Sequence, residues 1–126
     1  MEDHLLAIVG SGFVLILVAD LIGNNITFSN RIYNALVTSV IWGFLFFLLN
    51  LAYERFSPPP LLLWDHFWKW AAIGVLLAFF ADLIGNTLAF QSRYRNAITT
   101  AAVWAVVFYA IAVGLTCTWS GHCVFI

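Results

Sequence analysis

Apolar residues run along the chain in four long blocks, at about 5–28, 32–53, 67–90 and 94–115, each with 20 or more residues. A helix needs about 20 apolar residues to cross the roughly 30 Å hydrocarbon core of a bilayer. It also satisfies its own backbone hydrogen bonds there. Ten-residue alternating segments, typical of a membrane β-barrel, do not occur in the sequence. The pattern therefore predicts four transmembrane helices in one membrane domain, residues 1–126.

Short polar segments separate the apolar blocks. Ser29-Asn30-Arg31 and Gln91-Ser92-Arg93 are predicted to form tight turns after helices 1 and 3. Residues 57–60, Ser-Pro-Pro-Pro, are predicted to be a short stiff linker, because consecutive prolines hold an extended conformation.

Polar and small residues inside these blocks occur twice, sixty-two residues apart: Ala19-Asp20-Leu21-Ile22-Gly23-Asn24 returns as Ala81-Asp82-Leu83-Ile84-Gly85-Asn86. The same offset relates Gly12 to Gly74, Asn34 to Asn96, Thr38 to Thr100, Trp42 to Trp104 and Phe46 to Phe108. Two tandem repeats, 3–64 and 65–126, follow from this offset. Because each holds an even number of helices, both enter the membrane from the same side. We expect an all-α integral membrane protein with parallel repeats and a pseudo-twofold axis along the membrane normal.

Composition agrees with a membrane protein. The chain is 63% hydrophobic and 9% charged, whereas soluble domains carry about 25% charged residues. A net charge of −1 gives no reason to expect nucleic acid. Phosphate-binding glycine loops, nucleophile elbows and zinc-protease motifs do not occur, so no enzymatic activity is predicted. Glu2-Asp3 stands where a signal peptide has positive charges, so helix 1 is expected to remain in the mature protein.

Basic residues favour one orientation. Arg31, Arg93 and Arg95 lie at the turns within the repeats, against Arg55 and Lys69 at the other end. The positive-inside rule then predicts cytoplasmic turns and non-cytoplasmic termini in an inner or plasma membrane. Cys117 and Cys123 would lie outside, either bridged as a disulfide or as two thiols.

Asp20 and Asp82 are the strongest functional candidates, since a carboxylate deep in a bilayer costs at least about 2.5 to 3.5 kcal/mol. Two readings are open: a deep functional pair if the helices continue past Asn24 and Asn86, or wet interfacial carboxylates if they end near Gly23 and Gly85. A stripe of small residues on helices 1 and 3 is predicted to serve helix packing: Gly12, Ala19, Gly23, Gly74, Ala81 and Gly85.

Helices 2 and 4 repeat an arc of residues in steps of four, which should face the bundle interior. Its members with transport potential are Thr38, Thr100, Trp42 and Trp104. The threonines, with Asn24 and Asn86, would supply hydrogen bonds. The tryptophans would contact a cationic substrate by cation–π attraction.

Histidine offers a weaker, rival site. His4, His66 and His122 lie at one end with Cys117 and Cys123 and could bind a metal or haem. No close ligand spacing such as Cys-x-x-Cys occurs. The plainer reading is interfacial histidines beside the helix-capping residues Asp3 and Asp65. The sequence identifies no cofactor.

The architecture resembles small four-helix membrane proteins built from tandem helix pairs, among them the proton-coupled PACE efflux proteins and the GtrA-type proteins of polyprenyl-phosphate sugar translocation. Phe47-Leu48-Leu49-Asn50 at the end of helix 2 resembles the second group, and helix 4 does not repeat it. The Arg-x-x-His and Phe-Glu elements of the first group are absent from helices 1 and 3. The resemblance covers topology alone and assigns no family.

Two functional hypotheses remain from the sequence. In the first, the chain is a small proton- or cation-coupled transporter or channel with Asp20 and Asp82 in its pathway, and it forms homo-oligomers. In the second, it is a non-catalytic subunit that packs lipid, pigment or partner helices in a respiratory or photosynthetic complex. Translocation of a lipid-linked sugar is a further alternative.

Overall fold

A computed structural model describes residues 2–27, 30–58, 60–88 and 92–116. They form four helices: α1, Glu2–Thr27; α2, Arg31–Phe56; α3, Trp64–Leu88; and α4, Arg93–Thr116. The all-helical prediction is confirmed, and each helix is long and apolar enough to cross a membrane. By length and composition, the four helices are therefore candidate membrane spans, which suggests a multi-pass membrane protein.

The helix ends differ by a few residues from those expected. α2 continues to Phe56, and the backbone N–H of Ser57 then closes it on the carbonyl of Tyr53 at 2.9 Å. α3 begins at Trp64, because the carbonyl of Leu63 already accepts from the N–H groups of His66 and Phe67, both at 2.9 Å. Hydrophobic periodicity alone does not locate such capping bonds.

Each predicted turn supplies a polar residue to the helix that follows. The Asn30 side chain accepts from the Tyr33 N–H at 3.0 Å and caps α2. The Ser92 hydroxyl accepts from the Arg95 N–H at 3.3 Å at the start of α4. Side-chain oxygens here satisfy N–H groups that the first helical turn leaves unpaired.

The four helices pack in a ring, in which α1 and α3 each contact both α2 and α4. Neighbours are antiparallel: α1 meets α2 at Asp20 and Thr38 near one end and at Gly12 and Trp42 further along. We call the end at which α2 and α4 begin the turn end, and the end at which α2 ends and α3 begins the linker end. Residues of the diagonal pairs, α1 with α3 and α2 with α4, meet on the bundle axis.

Burial separates the axis from the outer surface. Trp42, Trp104, Phe46 and Phe108 are at most 1% exposed and form the centre of the apolar core. The outward faces carry exposed aliphatic and aromatic side chains on every helix, including Leu6, Val14, Phe44, Val40, Leu76, Phe80, Val106 and Ile98. The bundle thus buries polar residues together with an aromatic core, and its outer surface between the helix ends is apolar.

Candidate functional site

Two carboxyl groups lie at the centre of the bundle. Asp20 on α1 and Asp82 on α3 are each 0% exposed. The Thr38 hydroxyl of α2 donates to Asp20 Oδ1 at 2.9 Å. The Thr100 hydroxyl of α4 donates to Asp82 Oδ1 at the same distance. The two hydrogen bonds join residues that correspond in the two sequence repeats.

The carboxyl groups face one another. Each lies close enough to interact with the other carboxyl and with both threonine hydroxyls. Among the described residues, Asp20 Oδ2 and Asp82 Oδ2 are the buried side-chain oxygens without a hydrogen-bond partner. Buried polar atoms are nearly always paired, so this pair of oxygens needs an explanation.

The depth of the carboxyl layer follows from the helix bounds. The apolar span of α1 is Leu5–Ile26, which places Asp20 about 7 Å from its middle at a rise of about 1.5 Å per residue. α1 continues to Thr27 and α3 to Leu88. Neither carboxyl group therefore lies in the last turn of its helix, and the choice between a functional pair and structural carboxylates stays a prediction.

Gly23 and Gly85 allow the threonines to reach the carboxyl layer. A Cβ on Gly23 would stand 2.6 Å from Thr38 Oγ1, and a Cβ on Gly85 would collide with Thr100 Oγ1. The backbone of Thr38 also comes within 3.7 Å of this Cβ position. These two glycines therefore make room for a close helix and for the hydroxyl that it carries.

Four amides form a closed ring one helical turn from the carboxyl layer, toward the turn end. Asn34 donates to Asn24 at 2.9 Å, and Asn86 donates to Asn34 at 3.1 Å. Asn96 donates to Asn86 at 2.6 Å, and Asn24 closes the ring by donating to Asn96 at 3.4 Å. Every member is at most 1% exposed and gives one bond and accepts one in the same rotational sense.

Two backbone carbonyls fix the direction in which the hydrogen bonds run around the amide ring. Asn24 Nδ2 also donates to the Arg93 carbonyl at 3.1 Å, and Asn86 Nδ2 to the Arg31 carbonyl at 3.0 Å. A carbonyl can only accept, so the amide nitrogen of each asparagine must face it. The orientation of these two amides then determines the direction of all four bonds.

Two tryptophans cross the axis on the linker side of the carboxyl layer. The Trp42 and Trp104 ring centroids lie 5.1 Å apart, and both side chains are 0% exposed. The Trp42 indole donates to the Gly12 carbonyl at 3.2 Å, and the Trp104 indole to the Gly74 carbonyl at 3.0 Å. Satisfied indole N–H groups hold both rings in place at this depth.

The small-residue stripe has a more specific geometry than general helix packing. A Cβ on Gly12 would collide with the Trp104 ring, and one on Gly74 with the Trp42 ring. Gly12 and Gly74 therefore make room for rings from the facing helices. Ala19 and Ala81, at 0% and 3% exposure, complete the packed stripe.

The eight residues predicted to serve transport thus occupy three consecutive layers around one axis: Asp20, Asp82, Thr38, Thr100, Asn24, Asn86, Trp42 and Trp104. Asn34 and Asn96, which the steps of four place on the same inward-facing arc of helices 2 and 4, complete the amide ring. They are not among the eight transport candidates.

The rival histidine site is not assembled by the described residues. His66 lies half-buried in the first turn of α3, and no group of three or more His, Cys, Asp or Glu residues converges within the described part of the chain. The side chain of His4, and His122, Cys117 and Cys123 altogether, lie outside the described residues. The disulfide expectation stays a prediction.

No protein-family model, curated protein or solved structure matches the chain. What the protein does has therefore to be inferred from the three polar and aromatic layers themselves.

Proposed function

We propose that the chain is a small transporter or channel of a membrane, in which Asp20 and Asp82 bind a proton or small cation coupled to substrate movement along the bundle axis. Four apolar helices with exposed hydrophobic outer faces support insertion into a bilayer. There the surroundings are as apolar as a protein core, so outward-facing leucine and phenylalanine carry no hydration penalty.

Matched contacts support a pseudo-twofold relation between the repeats. The Asp20–Thr38 and Trp42–Gly12 bonds of the first repeat correspond to Asp82–Thr100 and Trp104–Gly74 of the second. Bonds between the repeats correspond as well, since Asn24 with Asn96 matches Asn86 with Asn34. An axis along the membrane normal places both carboxyls at one depth.

The observation that carries the proposal is the pair of buried, facing carboxyl groups with unpartnered Oδ2 atoms. Two carboxylates cannot both stay charged and close in a dry core without compensation. A proton shared between the two carboxyl groups supplies this compensation. A cation held by the oxygens of both aspartates and both threonines, Asp20, Asp82, Thr38 and Thr100, supplies it equally. Hard cations take such all-oxygen ligand sets.

Both routes to the carboxyl layer are closed in this structure. The amide ring seals it from the turn end, and the Trp42–Trp104 pair seals it from the linker end. We propose that this is an occluded form, and that alternate opening of the two seals exposes the carboxyl layer to one side at a time. Homo-oligomers would give such a thin bundle the support needed to open.

Arg31, Arg93 and Arg95 at the turn end place that end in the cytoplasm of an inner or plasma membrane in this proposal, with both termini outside. The amide ring then faces the cytoplasmic route, and the tryptophan pair faces the outer one.

Flux through reconstituted protein tests the proposal. Proteoliposomes with an internal pH dye receive a pH gradient, and proton movement is followed with and without an organic cation as substrate. Asp20→Asn combined with Asp82→Asn should lower the coupled rate at least tenfold. Asp65→Asn, the same change at an exposed position, should leave it unaltered. Absence of native flux, or full flux in the double variant, would contradict the proposal.

A non-catalytic role in a larger membrane complex is the second candidate, favoured by the exposed aromatic surface at Phe44 and Trp68, 62% and 64% exposed. Extraction in a mild detergent separates the two. Purification as a defined small oligomer supports the transporter, whereas co-purification with one stoichiometric complex supports the accessory subunit.

A further inference from the structure

α2 and α3 leave an open groove on the outer surface of the bundle, with a volume of about 760 Å³. Its floor is made of small residues, Gly43, Ala71 and Ala72, and its walls of larger ones, among them Phe44, Phe47 and Trp68. Pockets for organic molecules have volumes of about 300–1,000 Å³ and are mostly apolar. By size and lining, the groove suits one such molecule.

Close packing of α2 on α3 creates the groove. A Cβ on Gly43 would stand 2.9 Å from Val75 Cγ2, so glycine lets the helices approach while its missing side chain leaves space outside. Phe47 is central to the wall, with ring centroids 5.6 Å from Trp64, 6.1 Å from Phe67 and 5.9 Å from Trp68. Aromatic faces of this kind attract cations as well as apolar groups.

A carboxylate stands at the linker end of this aromatic wall. Glu54 lies seven residues, about two helical turns, beyond Phe47 and so on the same face of α2. Its Oε2 accepts from the Trp64 indole at 2.7 Å, which ties the charge to the wall. Arg55 follows Glu54 but points about 100° away around α2. The Lys69 ammonium lies over the buried Trp70 ring, 5.6 Å from its centroid.

The other repeat does not carry these features. At the positions sixty-two residues away, Phe44 corresponds to Val106, Trp68 to Leu6, and Glu54 to Thr116. Gly43 corresponds to Ala105. The groove is therefore a property of the α2–α3 face and not of the repeated pattern.

We propose that the groove between α2 and α3 binds an amphiphilic organic cation, whose apolar body lies against the aromatic wall and whose charge faces Glu54. The inference rests on the proposed function: it names the substrate class and makes the groove a first binding site on the outer surface, separate from the sealed axis. A molecule of this kind partitions into the membrane and reaches the groove laterally. The negative charge of Glu54 complements the positive charge of such a molecule, whereas an uncharged acyl chain makes no use of it.

Equilibrium dialysis of the purified full-length protein in detergent tests binding without any flux. Tetraphenylphosphonium serves as the probe, and tetraphenylborate as an anion of the same shape. The native protein should bind the cation saturably and at least tenfold more tightly than the anion. Glu54→Gln should raise the Kd for the cation at least fivefold, and Trp68→Leu, which installs the residue of the other repeat, at least threefold.

Matched controls separate the groove from general surface charge. Asp65→Asn removes a negative charge from the same end, and Tyr109→Ala removes the ring that corresponds to Phe47; neither should change the Kd by more than twofold. Equal binding of the anion, an equal loss in Asp65→Asn, or no loss in Glu54→Gln overturns the inference. Ala72→Cys gives a further test. The inference is overturned if this cysteine crosslinks two copies of the chain, or if the protein retains a phospholipid that the probe cannot displace.

Failure of this inference is distinguishable from failure of the proposed function. Cation binding that needs Glu54, in protein whose proton flux ignores Asp20 and Asp82, leaves the groove standing without the transport mechanism. Proton flux that needs both aspartates, in protein that binds no tetraphenylphosphonium, leaves the mechanism with another substrate class.

Discussion

The turn half and the linker half of the bundle use the repeated sequence in different ways. In the turn half, the amide ring and the carboxyl–threonine layer pair identical residues at matched positions. In the linker half, Phe46 still matches Phe108. Four other residues there form unlike pairs: Ile8 corresponds to Trp70 and Leu5 to Phe67. All four are buried, at no more than 7% exposure. The Trp42–Trp104 pair marks the boundary.

The difference reflects how the two kinds of contact tolerate change. A buried amide or carboxyl that loses its partner costs about 1–3 kcal/mol, so a ring of mutual donors and acceptors resists change at any single position. Apolar cores accept different side chains as long as volume and patterning are kept. The linker half can therefore carry different side chains at matched positions, such as Trp68 beside the groove and Leu6.

Adding one methyl group beside the Trp42–Trp104 pair should have the largest effect on the free energy of unfolding. Gly12→Ala and Gly74→Ala force the facing tryptophan rings to move, because the new Cβ collides with them. We expect each to lower the free energy of unfolding by about 1–3 kcal/mol or more, measured by reversible denaturation in mixed micelles. Gly10→Ala is the control, since no described atom lies within 4 Å of its Cβ position. Equal stability of Gly12→Ala and Gly10→Ala would contradict the tryptophan packing.

Opening the amide ring tests the equivalence of the repeats in the turn half. Asn24→Ala and Asn86→Ala should each cost about 1–3 kcal/mol, because ring partners and a backbone carbonyl lose their bonds. The double variant should cost less than the sum, since both changes break one network. Thr87→Ala on the exposed face is the control. A large effect in one repeat alone would show that the halves are not equivalent.

Asn50 sharpens the contrast, because it is an amide of the linker half without a repeated partner. Its side chain donates to the Leu62 carbonyl and accepts from the Leu62 N–H, both at 2.9 Å, and the matched position is Ala112. We expect Asn50→Ala to cost about 1–2 kcal/mol and to speed proteolysis within residues 57–63. Asn50→Asp keeps the acceptor and loses the donor, so its effect on stability and proteolysis should lie between those of the native protein and Asn50→Ala. Unchanged proteolysis would show that other contacts hold this segment.

The smallest effect on the free energy of unfolding is expected for Glu54, at the rim of the groove between α2 and α3. Glu54→Gln keeps an oxygen that can accept from the Trp64 indole, at an exposed position. Its effect on unfolding should stay within about 0.5 kcal/mol, so that any loss of cation binding reports on charge. Thermal unfolding followed by circular dichroism makes the measurement. A loss beyond 1 kcal/mol would mean that the carboxylate supports the fold itself.

Much of the fold could be predicted from the sequence, because it follows from repeated apolar blocks and polar residues at helical spacing. Thr38 and Trp42 are predicted to face inward on those grounds. What periodicity does not supply is the partner of each group. Nothing in the sequence shows that Gly12 accommodates Trp104 or that four asparagines close a ring, since both depend on the rotation of helices around their own axes. Asn50 and the groove had no repeated signal at all.

The closed amide ring has a consequence for how the turn end can open. Four bonds that run in one sense around a loop polarise one another, so the loss of one weakens the others. Partial opening also leaves an unpaired donor and an unpaired acceptor in an apolar core. The ring is therefore expected to open cooperatively, with few partly open states. Because the Arg93 and Arg31 carbonyls accept from Asn24 and Asn86, movement of the first turn of α2 or α4 would break bonds of the ring.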